Sequence, residues 1–178
     1  MSGAPPNVVA PEGTPDAPAP RARPPARVHV AWAGEHRFDA GRPGGPALRL
    51  DGSGRTGQSM VDAVLSALAG CTAVDVVDIL AKRRTPVEAL AIDAVGERFE
   101  GTPGRLVRIH LTYRLRGAGV ERAHAERAIE LAVTKYCSVR DSLDPAIPVE
   151  WTLELEAPGG AAAASPSPTS PSPTSPPP

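Results

Sequence analysis

Two side chains in this 178-residue chain stand out as able to do redox or nucleophilic chemistry, Cys71 and Cys137, and they are its only cysteines. A free cysteine is among the most buried residue types and often behaves as a small hydrophobe, so a core role is one reading of each. The other reading is a reactive pair. One thiolate attacks an oxidant and becomes a sulfenic acid, and the second thiol condenses with it to a disulfide. Ser138 and Asp141 stand three apart, as in a capping box, which predicts a short helix with Cys137 at its positive end. That position lowers a thiol pKa and favours the thiolate.

Other chemistries find no support in the residue pattern. The four histidines (His29, His36, His110, His124) are scattered, with no HxxxH or CxxC spacing for a metal. The Gly/Ser stretch 52–57 lacks the Lys-Ser/Thr ending of a phosphate loop, and there is no GxSxG elbow. A net charge of −1 gives no reason to expect nucleic acid or an anionic membrane as partner. Two cysteines, with no apolar leader visible after a basic start, predict a reducing, cytoplasmic setting.

The element that must hold Cys71 is the run Ser59 to Leu80 (SMVDAVLSALAGCTAVDVVDIL). Val61, Val64, Leu65, Leu68, Val74, Val77 and Leu80 recur at helical spacing, and Val76 and Ile79 widen the apolar face. Asp62, Asp75 and Asp78 are the only charges, and they leave too short a clean apolar length for a bilayer span. The run is expected to be a buried core helix. Gly70, unfavourable in a helix by about 1 kcal/mol relative to Ala, suggests a close approach beside Cys71. Lys82, Arg83 and Arg84 suit the negative end of this helix and Pro86 forbids its continuation.

Around the helix the chain alternates between strand and turn signals. Residues 27–33, His36 to Asp39 and Ala47 to Asp51 predict three short strands, separated by Gly/Pro-rich turns. Residues 88–100 predict a strand with a bulge at Gly96, and Gly101 to Gly104 a turn. Val107, Ile109, Leu111, Tyr113 and Leu115 then alternate with polar residues, which places His110 on a wet strand face. Ala125 to Tyr136 keep 3–4 spacing as a second helix, and Val149 to Leu155 alternate as a last strand. The order argues an α+β domain with a largely antiparallel sheet and a long central helix. A helix apolar nearly all round needs more cover than these elements supply, so a homodimer is expected. Of the 22 prolines, eight lie in residues 1–25 and eight in 158–178. Both ends are expected to be disordered, which leaves residues 26–157 as the folded domain.

The segments SALAGCTAVDVVDIL and KYCSV, whose cysteines are 66 residues apart, resemble the OsmC/Ohr family of thiol-dependent peroxidases. The likeness is strongest to the OsmC-like branch typified by the YhfA group, where GGC-x-A-x-D-V-V-x-I-L and E-K-Y-C-S-V recur. It implies an OsmC-like fold, an intertwined homodimer with sites at the subunit interface, and no cofactor. It further implies that Cys71 is the peroxidatic and Cys137 the resolving cysteine. Organic hydroperoxides would be the substrates, and a dithiol or lipoylated protein the reductant. The acidic partner of the well-studied peroxidases, a glutamate ten residues before the first cysteine, is Val61 here. Asp62, nine before it, faces the other way, because nine residues of helix turn through about 900°. Arg37 is the expected thiolate-stabilising arginine, with Arg140 second. The contrasting expectation is a non-catalytic OsmC-like protein that binds an apolar small molecule or lipid, or a slow thiol redox sensor.

Overall fold

A computed structural model describes residues 23–156. The expectations for the two Pro-rich ends fall, apart from residues 23–25, outside the described residues. The chain begins with an antiparallel meander: β1 (His29–Trp32), β2 (Arg37–Gly41) and β3 (Ala47–Asp51). In register, Trp32 faces Phe38 across the first pair and Arg37 faces Asp51 across the second. The turn into β2 needs positive φ at Gly34 and Glu35, and the loop after β3 is organised by one carboxylate. Asp51 accepts from the amides and hydroxyls of both Ser53 and Thr56, at 2.7 to 2.9 Å. Those bonds hold its pKa far below the usual carboxylate range.

The central helix α1 (Met60–Lys82) starts as a reciprocal cap. The Asp62 amide donates to the Ser59 hydroxyl (3.2 Å) and the Ser59 amide to the Asp62 carboxylate (3.0 Å). Asp62 therefore serves the helix start. At the other end Arg84 takes the left-handed position at φ 64°. The Arg84 and Thr85 amides then close back on the Ala81 and Leu80 carbonyls.

A second sheet follows, in the order β4 (Ala89–Arg98), β5 (Leu106–Arg116), β6 (Val149–Leu155). β4 and β5 are antiparallel with a register shift at Glu97/Arg98. Gly96 lies just before it, and a methyl there would meet the side chains of Leu106 at 2.5 Å and Leu65 at 3.1 Å. Close helix-to-sheet packing, as well as the bulge, accounts for this glycine. β6 pairs with β5 in parallel, so the strands form two sheets and one pairing departs from the antiparallel rule. The reason is the connection. Between β5 and β6 the chain crosses over through α2 (Arg122–Leu131), a π-helical turn (Ala132–Tyr136) and α3 (Ser138–Asp141), which brings it back in the same direction.

The core lies between the second sheet and these helices. Ile109, Leu111, Tyr113 and Leu115 of β5 are buried, as their alternation requires, against Leu68, Val76 and Leu80 of α1 and Ala128, Ile129 and Ala132 of the crossover. On the outer face His110 meets Thr152, and Arg108 and Arg114 pair with Glu150 and Glu154. Within one chain α1 is covered on one side only, as expected of a helix whose elements cannot cover all of its apolar surface. Only Leu65, Leu68, Thr72, Val76 and Leu80 form its buried stripe, while Met60, Val64, Val74 and Val77 are exposed. By length and composition alone α1 could cross a bilayer, but that stripe seats it on the sheet as a core helix. The first sheet likewise exposes Val28, Val30, Trp32 and Leu48. At Gly70 an added methyl would meet nothing within 4 Å, so among the described residues no backbone makes the close approach expected there. Of the two occupants expected, another backbone or a small substrate, neither is seen within this chain.

Candidate active site

Cys71 sits half-buried in the middle of α1, at the edge of the stripe that packs on β5. Its neighbour Thr72 locks that register. The Thr72 hydroxyl donates to the Ala69 carbonyl (2.9 Å) and accepts from the buried Tyr113 hydroxyl (2.7 Å). Burial pushes the Tyr113 pKa up to about 12, opposed by the Thr72 bond and reinforced by the charge on Cys137.

Cys137 arrives from the crossover. The π-helical turn inserts one residue into the helical repeat, and it closes with the Cys137 amide donating to the Ala132 carbonyl at 3.0 Å. Cys137 is then itself the N-cap of α3, because its sulfur accepts from the Arg140 amide at 3.3 Å. The capping residue is thus Cys137 and not Ser138, a shift of one position. Ser138 is freed to place its hydroxyl 4.0 Å from the Cys71 sulfur.

The first turn of α3 therefore presents its donors to the other cysteine. Burial raises the Cys71 pKa, but four hydrogen bonds outweigh it. They come from the Val139 backbone, the Cys137 side chain, and the side chain and backbone of Ser138, and the net pKa is below the ordinary thiol value. Cys137 moves the opposite way, up to about 11. Burial is the first cause, relieved by the Arg140 amide and reinforced by its hydrogen bond to Cys71 and by the charge there. The two free thiols are thus near enough to shift each other's acidity, and their acidities move apart. The expectation that the helix end activates Cys137 is corrected: the Arg140 amide does reach its sulfur, but burial outweighs it, whereas at Cys71 the donors of the same turn win. In this pair Cys71 is the more acidic thiol and Cys137 the less acidic.

The arginines are placed differently. Arg37 bonds within its own turn, donating to the Gly34 carbonyl (3.4 Å) and pairing with Glu35 (3.4 Å). The Arg140 guanidinium donates to the carbonyls of Ile147 (3.1 Å) and Pro145 (3.5 Å), which fastens the segment leading to β6. Beside Cys137 a cavity of about 510 Å³ opens, with Lys135, Arg140, Leu143 and Val149 in its wall. Among the described residues no three His, Cys, Asp or Glu side chains gather as a metal site. Sequence reasoning missed Ser138 as a neighbour of Cys71 and the Thr72–Tyr113 bond. The signal for the first was its place directly after Cys137.

A family model described as OsmC-like protein matches residues 52–152. Protein YhfA of Escherichia coli (strain K12) is 33% identical over 132 residues, which cover 74% of this chain and 98% of YhfA. Among solved structures, an OsmC-like protein from Mycoplasma pneumoniae superposes with a TM-score of 0.66 at 14% identity, covering 75% of this chain and 99% of that one. The organic hydroperoxide resistance protein OhrB of Bacillus subtilis superposes with a TM-score of 0.52 at 14% identity, covering 73% and 98%. At such identities these two likenesses are of fold.

Proposed function

The chain belongs to the OsmC-like family, and on that premise we propose that it is a thiol-dependent peroxidase that reduces organic hydroperoxides. The observation that carries this reading is that α1 and the start of α3 bring the two cysteines to one place, with the hydroxyl of Ser138, the residue next to Cys137, 4.0 Å from the Cys71 sulfur, and that their acidities move apart. The Cys71 thiolate attacks the terminal oxygen of ROOH, the O–O bond breaks, and Cys71 becomes a sulfenic acid while RO⁻ leaves as the alcohol after taking a proton. The Cys137 sulfur then attacks the Cys71 sulfur. Its proton and the sulfenic hydroxyl depart as water, and a disulfide remains. Two electrons from a dithiol or a lipoylated protein restore both thiols. A fold shared with a protein named for organic hydroperoxide resistance supports the substrate class.

The reading includes a homodimer in a reducing, cytoplasmic setting, serving oxidative-stress defence. The exposed apolar residues of α1 and of the first sheet are the surfaces that a second copy would cover. Arg37 enters as the cation that stabilises the Cys71 thiolate, supplied across the dimer. The test is consumption of cumene hydroperoxide with a dithiol by the wild type and by Cys71→Ser. Turnover in the first alone is the expected result, and equal turnover refutes the proposal.

Val61, in place of a glutamate, favours one second reading, in which the same apolar surfaces hold a lipid or another apolar molecule and the thiols respond slowly to oxidants. Native mass spectrometry would then show a retained ligand, together with negligible turnover.

A further inference from the structure

The two sulfurs differ in what lies beside them. The cavity of about 510 Å³ is lined by Cys137 and not by Cys71. Its wall combines apolar surface from Leu143 and Val149 with two cationic side chains, Lys135 and Arg140, against one acid, Asp141. The Lys135 ammonium is positioned over the Tyr136 ring, 5.5 Å from its centre, and the Arg140 guanidinium is fastened by two neutral carbonyls, with no carboxylate paired to it among the described residues. A partly apolar cavity with an excess of positive charge fits a short aliphatic molecule that ends in an anion.

We propose that this cavity is the reductant site: a small thiol bearing a carboxylate enters it and attacks the Cys137 sulfur of the Cys71–Cys137 disulfide. The inference rests on the disulfide cycle proposed above and adds which sulfur is attacked and what attacks it. The reductant thiolate forms a bond to the Cys137 sulfur. The Cys71–Cys137 bond breaks, and its electron pair leaves on Cys71 as a thiolate. A second thiolate, from the same molecule or another, attacks the reductant's sulfur in the mixed disulfide. That step releases Cys137, which takes up a proton, and the reductant departs as its own disulfide. The protein gains two electrons and the reductant loses two.

The direction of attack agrees with the leaving group. Exchange is faster when the departing thiol is the more acidic one, and among these two that thiol is Cys71. Attack on Cys71 would have to expel Cys137, whose proton affinity burial has raised. Hydroperoxide and reductant would accordingly meet the pair at different sulfurs.

The experiment uses the full chain oxidised with diamide, so that it does not depend on peroxidase turnover. The disulfide is exposed to 3-mercaptopropionate, 2-mercaptoethanol or cysteamine, quenched with acid, and mapped by peptide mass spectrometry. The expected adduct is on Cys137 with Cys71 free. Per thiolate, the anionic reagent should react fastest and the cationic one slowest. Lys135→Glu should lower the ratio of 3-mercaptopropionate to 2-mercaptoethanol rates about fivefold at low salt, and less as salt screens the charge. Adducts on Cys71, or a ratio unmoved by Lys135→Glu, overturn the inference while leaving hydroperoxide turnover intact. Adducts on Cys137 in a protein that does not consume hydroperoxide remove the peroxidase reading alone. Failure of diamide to join the two cysteines overturns both.

Discussion

At the scale of single residues, Cys71 and Cys137 have the same side chain and differ in burial and in which donors reach them. Cys71 receives the amides and hydroxyl at the start of α3, which lower its pKa, while burial raises that of Cys137. Iodoacetamide near pH 8 should therefore modify Cys71 and spare Cys137, read by peptide mass spectrometry. Equal labelling would mean that the hydrogen bonds do not separate the pair. In Cys71→Ser the Cys137 titration, followed by thiolate absorbance, should shift downward from about 11, because the charge and hydrogen bond that raise it are gone. The linkage sign follows from the raised value. Cys137 stabilises the fold fully below the ordinary thiol pKa of about 8.5, and that contribution is lost as pH rises toward the folded value near 11. Urea midpoints should fall across that window, with a shallower slope in Cys137→Ala. Beside the pair, Thr72→Val leaves the buried Tyr113 hydroxyl without its acceptor and should cost about 1–3 kcal/mol, more than the roughly 1 kcal/mol of Tyr113→Phe. The identity of both cysteines as candidates was legible in the sequence. Their division of labour was not legible from residue chemistry, because it depends on a one-residue difference in where α3 starts.

At the scale of elements, the sequence was most informative where a signal is local. The alternation of β5, the Pro86 stop and the strand positions before α1 all appear within a residue or two of their expected places. Two features depend on longer-range geometry. The π-helical turn at Ala132–Tyr136 inserts one residue into an otherwise regular apolar repeat, and no residue type marks that insertion. The parallel pairing of β6 follows from the crossover path and not from its own alternation, which would suit either direction. The start of α1 supports a sharper prediction, since Asp62 stands beside Val61, the position of the missing glutamate. Its carboxylate is engaged at the helix cap, so Ser59→Ala and Asp62→Asn should each destabilise by about 1 kcal/mol and lower Tm by about 3 °C. Hydroperoxide turnover per folded molecule should not change. A large loss of turnover at unchanged Tm in Asp62→Asn would instead make Asp62 part of the chemistry.

At the scale of the whole molecule, apolar surface lies where one chain does not cover it. Trp32 is 70% exposed and Val74 62%, on the first sheet and on α1, two elements that share few contacts with each other. Large apolar side chains left open on separate elements are what a second copy would bury, and the open side of Gly70 next to Cys71 puts one such surface at the site itself. Light scattering should then give twice the chain mass of 18.4 kDa. Val74→Glu combined with Val77→Glu should yield monomer, since two carboxylates cannot be desolvated in an apolar contact. The same architecture bears on Arg37, whose side chain, among the described residues, bonds its own turn and not Cys71. If its cationic role is exercised across the dimer, Cys71→Ser and Arg37→Ala are each defective alone but complement when mixed. In the heterodimer one site combines both changes and the other has neither. With random pairing half the dimers are heterodimers and half their sites are whole, so turnover should recover to about a quarter of wild type. An arginine acting within its own chain would give no recovery above the sum of the two mutants. That outcome, alongside a confirmed dimer, would remove Arg37 from the partner's site and leave the amides of α3 as the principal stabilisers of the Cys71 thiolate.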